Sequence, residues 1–269
     1  MFGSMSTYTL RLSEVELGRY RMMAEAARLT EADLWAGAGI RPGARVADVG
    51  CGPGAALAVM AREVGPEGHV SGVDGDPEAI SHAQAAVATQ GLENADVRVG
   101  AADATGLDPG TFDVAVMRHV LAHNGGAEQH MVDHLATLIR PGGAVYLVDV
   151  DLTGLRIRPT NPTIEEMAST YIEFHRRLGN DPQVGVALAE MILAAGLEVE
   201  TYRGWYTIME APPGVRPPSW AARDAMVAQG VATADDVARW GAVLDGMDDA
   251  MPRPRIFAPT FVAIGRRPA

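Results

Sequence analysis

The stretch VADVGCGPG, residues 46–54, decides the fold. Its apolar residues on either side of Asp48 predict a buried strand, and the glycines at every second position predict a turn whose backbone can pass close to a ligand. A helix that begins directly after such a turn offers unpaired N–H groups to that ligand. The G-x-G-x-x-G pattern of dinucleotide-binding folds would need glycine at position 55 or 57, where the chain has Ala55 and Leu57.

Around this stretch, short apolar strands alternate with amphipathic helices. This alternation is typical of an α/β fold, with a parallel sheet covered on both faces and a ligand at the carboxyl ends of its strands. Beyond Asp151 the alternation stops, and proline-rich breaks separate further helices before a terminal strand. The predicted strands are 45–49, 69–74, 95–100, 112–117, 143–149, 197–209 and 256–265. Predicted helices at 54–63, 77–90 and 126–139 follow the first, second and fourth of these strands.

The composition excludes several kinds of chemistry. The 269 residues include 34 acidic residues against 22 basic ones, and all 22 are arginine. Without lysine, the chain has no Walker-type phosphate loop and no Schiff-base amine. A net charge of -12 disfavours nucleic acids and anionic membranes, which attract basic surfaces. The single cysteine excludes an internal disulfide, and no apolar run is long enough to span a membrane. We therefore expect a cytoplasmic protein.

Acidic residues follow the next two strands, at the points where those strands end. Asp74 lies twenty positions beyond Gly54, where a carboxylate can accept hydrogen bonds from both hydroxyls of a ribose. Asp103 follows the third strand. Each acid by itself could be a helix cap or a solvated loop residue. Three acids at successive strand ends, with Asp48 as the first, favour a ligand site.

Together with the glycine turn and the Pro-Gly-Gly sequence at 141–143, these acids resemble the motif series of class I S-adenosylmethionine-dependent methyltransferases of the bacterial small-molecule type. The resemblance covers residues 41–150. It implies an α/β, Rossmann-like, doubly wound, mostly parallel seven-stranded sheet with an antiparallel last strand, plus N-terminal helices and a helical lid. We expect a helical cap at 1–40, a cofactor-binding core at 41–150, lid insertions at 151–183 and 210–255, and completion of the sheet by 184–209 and 256–269.

The resemblance also implies where S-adenosylmethionine binds. Its methionine portion would lie against Asp48 and the glycine turn, its ribose against Asp74, and its adenine against Asp103 and the backbone of Ala104. An arginine after the fourth strand and a tyrosine of the first helix would lie beside it. The implied cofactor-binding residues are Asp48, Gly50, Gly52, Gly54, Asp74, Asp103, Ala104, Arg118 and Tyr20.

Histidines are the candidates for acid–base chemistry. His119 and His123 lie in the loop after the fourth strand, which faces the methyl acceptor in many relatives, so either is a candidate general base. Tyr8, His119 and His175 are the candidate substrate-binding residues. For each of these side chains, a purely structural role is an equally open interpretation. We expect no metal, because the H-E-x-x-H pattern is absent.

The implied chemistry is an in-line methyl transfer to a small molecule. Such a reaction needs aligned reactants, exclusion of water and, for a hydroxyl acceptor, removal of a proton, but no covalent nucleophile. The Asp/Asn-Pro-Pro-aromatic signature of nucleic-acid amino methyltransferases is absent after the fourth strand. We predict O-methylation of a small hydrophobic or aromatic metabolite with a histidine general base, without a nucleic-acid or membrane partner. A C-methyltransferase, a non-methylating enzyme or scaffold that retains the cofactor, and a homo-oligomer stay open.

Overall fold

The computed structural model describes residues 12–269. Two helices, α1 (Glu14–Thr30) and α2 (Ala32–Ala38), precede the sheet. The hydroxyl of Ser13 accepts a hydrogen bond from the N–H of Glu16 at 3.3 Å, which caps the first turn of α1. Gly39 ends α2 in the left-handed region, with a φ of 106°.

The sheet contains eight strands within this part of the chain, in the order β3-β2-β1-β4-β5-β8-β6, with β7 paired to the other edge of β8. Strands β1 to β5 are parallel to one another, and every pairing of β8 is antiparallel. The bounds are β1 (Arg45–Val49), β2 (His69–Asp74), β3 (Ala95–Val99), β4 (Phe112–Arg118), β5 (Ile139–Val150), β6 (Arg156–Arg158), β7 (Glu198–Glu210) and β8 (Arg255–Arg266).

The predicted Rossmann-like, mostly parallel sheet with antiparallel C-terminal pairing is confirmed. It differs in one strand, because three residues predicted to lie in a lid insertion form β6. Thr260–Arg266 of β8 pair with β5, so the earlier part of β8 has room for β6 at the same edge. Since β6 is only three residues long, the hydrophobic pattern of the sequence could not distinguish it from a loop.

Four helices cover the sheet: α3 (Ala55–Val64), α4 (Pro77–Thr89), α5 (Glu128–Leu138) and α7 (Leu188–Ala194). Strand β1 shows how the sheet divides the core. Val46 belongs to the buried cluster that includes residues of α1, α2 and α3, whereas Ala47 and Val49 belong to the cluster of α5 and α7. Because side chains alternate along a strand, Asp48 lies on the same face as Val46.

Four further helices build a third buried cluster beside the sheet: α6 (Pro162–Arg177), α8 (Pro218–Ala221), α9 (Arg223–Ala228) and α10 (Ala234–Asp248). Trp240 of α10 and Phe174 of α6 are both 1% exposed within it. Thr233 and Asp236 form a reciprocal capping box at the start of α10. Among residues 12–269, no helix is both long and apolar enough to cross a membrane.

Candidate active site

Gly50 and Gly54 of the glycine turn after β1 are packed closely against neighbouring residues. Gly50 has a φ of 78°, and its N–H donates a hydrogen bond to the carbonyl of Val73 at 2.7 Å. A Cβ atom on Gly50 would lie 2.2 Å from Cγ2 of Val120. Gly54 has a φ of 80°, and its Cβ would lie 2.9 Å from that of Ala83. Both positions therefore require glycine for conformation and for packing.

Gly52 differs from Gly50 and Gly54 because a Cβ atom there would clash with no neighbouring atom. Its φ of 53° is left-handed, yet the nearest atom to a Cβ built there is Cε1 of Tyr20, at 3.9 Å. Tyr20 belongs to α1, so this helix lies against the turn. Gly52 lies in the stretch where the sequence predicted close approach of a ligand to the backbone.

Asp48 supplies a buried oxygen to this turn. The residue is 2% exposed, and its Oδ2 has no hydrogen-bond partner within the described chain. Burial and then the nearby Asp74 carboxylate raise the pKa of Asp48 to about 7, against the opposing positive charge of Arg118. An unpaired carboxylate oxygen in a buried position fits a cationic ligand group, and S-adenosylmethionine carries an ammonium in its methionine portion.

Asp74, at the end of β2, accepts backbone hydrogen bonds on both oxygens. Its Oδ2 accepts from the N–H of Gly52 at 2.8 Å, and its Oδ1 accepts from that of Asp76 at 2.9 Å. Burial raises the pKa of Asp74, and these N–H groups oppose the rise. Because each carboxylate oxygen has two lone pairs, the residue can still accept from two ribose hydroxyls. It lies beside the glycine turn, as expected from the sequence.

Asp103 and Ala104 lie in the loop after β3, at the same sheet edge, and both are exposed. The N–H of Ala104 donates to the carbonyl of Ala101 at 3.1 Å, which closes a tight turn. His134 of α5 holds the next residue, because its Nε2 accepts from the N–H of Thr105 at 3.2 Å. The predicted adenine contact of Asp103 and Ala104 stays a prediction.

Arg118, at the end of β4, is engaged with Glu31 between α1 and α2. The guanidinium donates to both carboxylate oxygens, at 2.7 and 2.9 Å, and the hydroxyl of Tyr146 donates to Oε2 of Glu31 at 2.7 Å. Glu31 is only 2% exposed. Burial lowers the pKa of Arg118, but the charge and hydrogen bonds of the Glu31 carboxylate together outweigh it, so the pKa is raised. The guanidinium is directed toward the helical cap, and the predicted place of Arg118 beside the cofactor stays a prediction.

His119 follows Arg118 in an uncommon backbone conformation, with a φ of 56°. Its N–H donates to the carbonyl of Val148 at 2.8 Å, which ties the loop to β5. Burial, followed by the positive charges of Arg118 and Arg19, lowers the pKa of His119 well below its usual value. The imidazole is therefore neutral at pH 7 and can accept a proton.

His123 and His175 lie side by side, with ring centroids 5.1 Å apart. Tyr171 meets His175 edge to face at 4.5 Å. Burial is the main cause that lowers the pKa of His123 to about 3 and that of His175 to about 4. The three histidine rings are neutral at pH 7, and the positive charge of Arg19 acts on His119, His123 and Tyr171. The predicted catalytic and substrate-binding histidines are therefore brought together.

The tautomer of His175 follows from its neighbours. Oδ1 of Asn180 accepts from the N–H of Gly125 at 2.9 Å, so its Nδ2 donates to Nδ1 of His175 at 3.0 Å. The proton of the neutral ring therefore lies on Nε2, which makes no hydrogen bond of ordinary geometry to any group of residues 12–269. The Ala122 carbonyl acts on the ring and opposes the fall in the pKa of His175.

Sequence reasoning did not assign a role to Glu31 or to Arg19 of α1. Arg19 is bound to Glu16 at 2.6 Å, and its charge acts on both His119 and His123. In the sequence, both residues have the composition of ordinary polar positions on a helical surface. Only the fold shows that their side chains face inward. Tyr8, a predicted substrate contact, lies outside the described residues. No group of three or more potential ligands within residues 12–269 is arranged to hold a metal ion.

Comparisons with known proteins agree with this geometry. A family model of the methyltransferase domain matches residues 40–184. The chain is 36% identical over 113 residues to an arsenite methyltransferase of Halobacterium salinarum, a match that covers 42% of this chain and 29% of that protein. It is 32% identical over 170 residues to nocamycin O-methyltransferase of Saccharothrix syringae, covering 58% of this chain and 60% of that protein.

These curated relatives are thus matched over less than two thirds of their own length. Among solved structures, a SAM-dependent methyltransferase from Aquifex aeolicus has a TM-score of 0.50 at 20% identity, over 69% of this chain and 90% of that one. This similarity shows a common fold. The family model covers more than half of the 269 residues, and its match includes the glycine turn, Asp74 and the loop after β4. The chain therefore belongs to the S-adenosylmethionine-dependent methyltransferase family, with the class I fold and the cofactor that the sequence predicted.

Proposed function

We propose that this protein transfers a methyl group from S-adenosylmethionine to a hydroxyl of a small hydrophobic or aromatic metabolite. The observation that carries the proposal is the buried, unpartnered Oδ2 of Asp48 at the glycine turn of a methyltransferase fold. Nocamycin O-methyltransferase, by its name, methylates oxygen in a small molecule, and it resembles this chain over 170 residues. That similarity supports an oxygen acceptor.

The cofactor supplies an activated methyl group on a positively charged sulfur. Asp48 would bind the ammonium of its methionine portion, Asp74 would accept from the ribose hydroxyls, and Gly52 would let the backbone lie close to it. Asp103 and the backbone of Ala104 would contact the adenine. Gly50 and Gly54 would act by holding the turn, since their own Cβ positions are filled by neighbouring side chains. Tyr20 and α1 would exclude water from the turn, as Tyr20 already approaches Gly52.

His119 would remove the proton of the acceptor hydroxyl. Because its pKa is well below the usual value, the ring is almost wholly in its proton-accepting form at neutral pH. The left-handed backbone at His119 costs about 1 to 2 kcal/mol, a cost that recurs where a side chain is held in a functional orientation. His123 would serve as an alternative base, and His175 would contact the acceptor.

Arg118 would act on the cofactor through its charge, because its guanidinium is committed to Glu31. The acceptor would lie against the neutral histidines and Tyr171, and this is why we propose a largely uncharged acceptor. Excess negative charge elsewhere supports the absence of a nucleic-acid partner.

Calorimetry with S-adenosylmethionine tests the first part of the proposal. Wild type should bind, and Asp74→Ala should bind at least tenfold more weakly. Absence of binding, or equal affinity in both proteins, would contradict the assignment. A panel of phenolic and hydroxylated metabolites should then yield S-adenosylhomocysteine, with the methyl group on oxygen in the product.

The role of His119 is tested by comparing His119→Ala with His130→Ala, since His130 is exposed on α5. General-base catalysis contributes about 10² to 10⁴ in rate, so His119→Ala should slow turnover by at least 100-fold while cofactor binding is kept. His130→Ala should behave as wild type. Carbon methylation would establish the C-methyltransferase instead, and an altered acceptor without S-adenosylhomocysteine would establish a non-methylating enzyme.

A further inference from the structure

Glu31 lies at the junction of the helical cap with the active site. It stands between α1 and α2, at the position where an acidic residue ordinarily caps its own helix, but it makes no capping hydrogen bond with α2. Its carboxylate is instead turned into the protein and is 2% exposed. It accepts two hydrogen bonds from Arg118 and one from Tyr146. This single side chain thus connects the cap to the ends of β4 and the middle of β5.

Arg118, which binds Glu31, is the residue directly before the proposed base, His119. Arg118 is followed by His119, whose backbone is left-handed and tied to β5 through Val148. A bidentate guanidinium–carboxylate pair fixes distance and orientation together, because two parallel hydrogen bonds allow little rotation. The position of Arg118 is therefore fixed from the cap, one residue before the chain turns at His119.

The cap itself leads back to the glycine turn. Helix α1, which ends one residue before Glu31, carries Tyr20 above Gly52 and Arg19 close to His119 and His123. Ion pairs between the outer face of α1 and α3, such as Arg62 with Glu25, are well exposed and therefore contribute little to stability. Glu31, in contrast, is a buried polar attachment between the cap and strands β4 and β5.

We propose that Glu31 is a positioning residue of the methyltransferase site, which fastens the helical cap to the strand end that carries His119. This inference rests on the proposed function, since it assigns His119 the role of base and the glycine turn that of cofactor site. Glu31 touches no reacting atom. It acts through Arg118 on the loop after β4 and through α1 on the enclosure of the turn.

Two substitutions separate positioning from charge compensation. Glu31→Gln removes the charge and leaves Arg118 buried without a counter-ion, so this variant can fail to fold. Glu31→Asp keeps the charge but is shorter by one methylene, so it cannot keep the bidentate pair and the Tyr146 contact together. Asp33→Asn is the matched control, because Asp33 also joins α2 to the sheet, through an exposed ion pair with Arg203 at 2.8 Å.

Amide hydrogen exchange of the free proteins is the primary measurement. In Glu31→Asp, peptides covering 13–31 and 118–125 should exchange at least tenfold faster than in wild type, whereas peptides covering 69–89 should be unchanged. Calorimetry should show at least tenfold weaker binding of S-adenosylmethionine to this variant. Asp33→Asn should match wild type in both measurements.

Wild-type exchange and affinity in Glu31→Asp would overturn the inference, since charge alone would then suffice. Faster exchange throughout the chain would overturn it too, because Glu31 would then be a general stability residue. Failure of the wild-type protein to bind S-adenosylmethionine would refute the proposed function, but the exchange experiment needs no ligand and would still decide whether Glu31 fastens the cap.

Discussion

Replacing Asp48 with asparagine should stabilise the free protein at high pH and abolish tight cofactor binding. The pKa of Asp48 in the folded chain is about 7, against about 3.9 for an ordinary aspartate. At about 1.4 kcal/mol per pKa unit, the buried negative charge lowers the free energy of unfolding by about 4 kcal/mol. The pKa of Asp48 is higher in the folded chain than in the unfolded chain. Its contribution to the free energy of unfolding is therefore fully present below about pH 4 and is lost as the pH rises through 7.

The variant should therefore show a pH-dependent change in stability. Asparagine removes the charge but adds buried N–H donors, at a cost of about 1 to 3 kcal/mol. At pH 8 we expect a net gain in the free energy of unfolding of about 1 to 3 kcal/mol. At pH 5 wild-type Asp48 is mostly protonated and no longer carries this penalty. The free energy of unfolding of Asp48→Asn, relative to that of wild type, should therefore be about 2.5 kcal/mol lower at pH 5 than at pH 8.

Urea unfolding at pH 5 and pH 8, followed by circular dichroism, measures this difference. Asp149→Asn is the matched control. Asp149 is fully buried with a pKa also raised to about 7, but its two oxygens accept from the N–H groups of Val150 and Ala122. Its amide would face one of these donors, so Asp149→Asn should show the same change in stability between pH 5 and pH 8 but should be about 1 to 3 kcal/mol less stable than Asp48→Asn at both values. A pH-independent effect of Asp48→Asn would refute the reasoning.

Cofactor binding provides the second half of the test. A bound cation should lower the pKa of Asp48, so wild-type affinity should rise about tenfold between pH 6 and pH 8 as the carboxyl loses its proton. The ligand's own amino group titrates at about 7.7 to 8.0, and comparison with Asp48→Asn removes that contribution. Affinity equal to wild type in Asp48→Asn would show that this carboxylate does not bind the cofactor.

Three further outcomes follow from the same geometry. Gly50→Ala should lower the free energy of unfolding by about 2 to 5 kcal/mol in urea titrations, because the left-handed backbone and the clash with Val120 add together. Gly52→Ala should cost only about 1 to 2 kcal/mol of stability, because a Cβ there clashes with no neighbour. Calorimetry should nevertheless show a large loss of cofactor affinity, since the Cβ would stand where the cofactor is proposed to approach the backbone. Protonation of His119 should not change the rate of methyl transfer between pH 6 and pH 8 and should lower it only at more acidic pH. A fall in rate with a midpoint near pH 6.5 would contradict the lowered pKa of His119.

The parts that sequence predicted well are those fixed by local pattern. Asp48 and the glycine turn lie in one uninterrupted stretch, and each strand of the parallel sheet is long enough to show its hydrophobic rhythm. Asp74 could be placed because parallel strands end at one edge of the sheet. The proximity of the histidines also followed, since His119 and His123 share one loop.

The parts that it missed depend on contacts distant in sequence. Glu31 and Arg118 are 87 positions apart, and Tyr146 is 115 positions from Glu31. An acid between two helices has the composition of a solvated surface position, and no spacing rule relates it to a strand end. The strand β6 was missed because its pairing is decided by where β5 ends.

A comparison of the buried acids argues most directly for the site. Glu31 is matched by a guanidinium and a hydroxyl, and Asp149 by two backbone N–H groups. Asp48 is equally buried, yet its Oδ2 is the single buried carboxylate oxygen without a partner in residues 12–269. Folding alone gives no reason to keep such a charge, because a neutral residue would be more stable there. A cationic ligand at the glycine turn would give that reason, so the same feature that weakens the free fold supports our proposal that the ammonium of the cofactor binds Asp48.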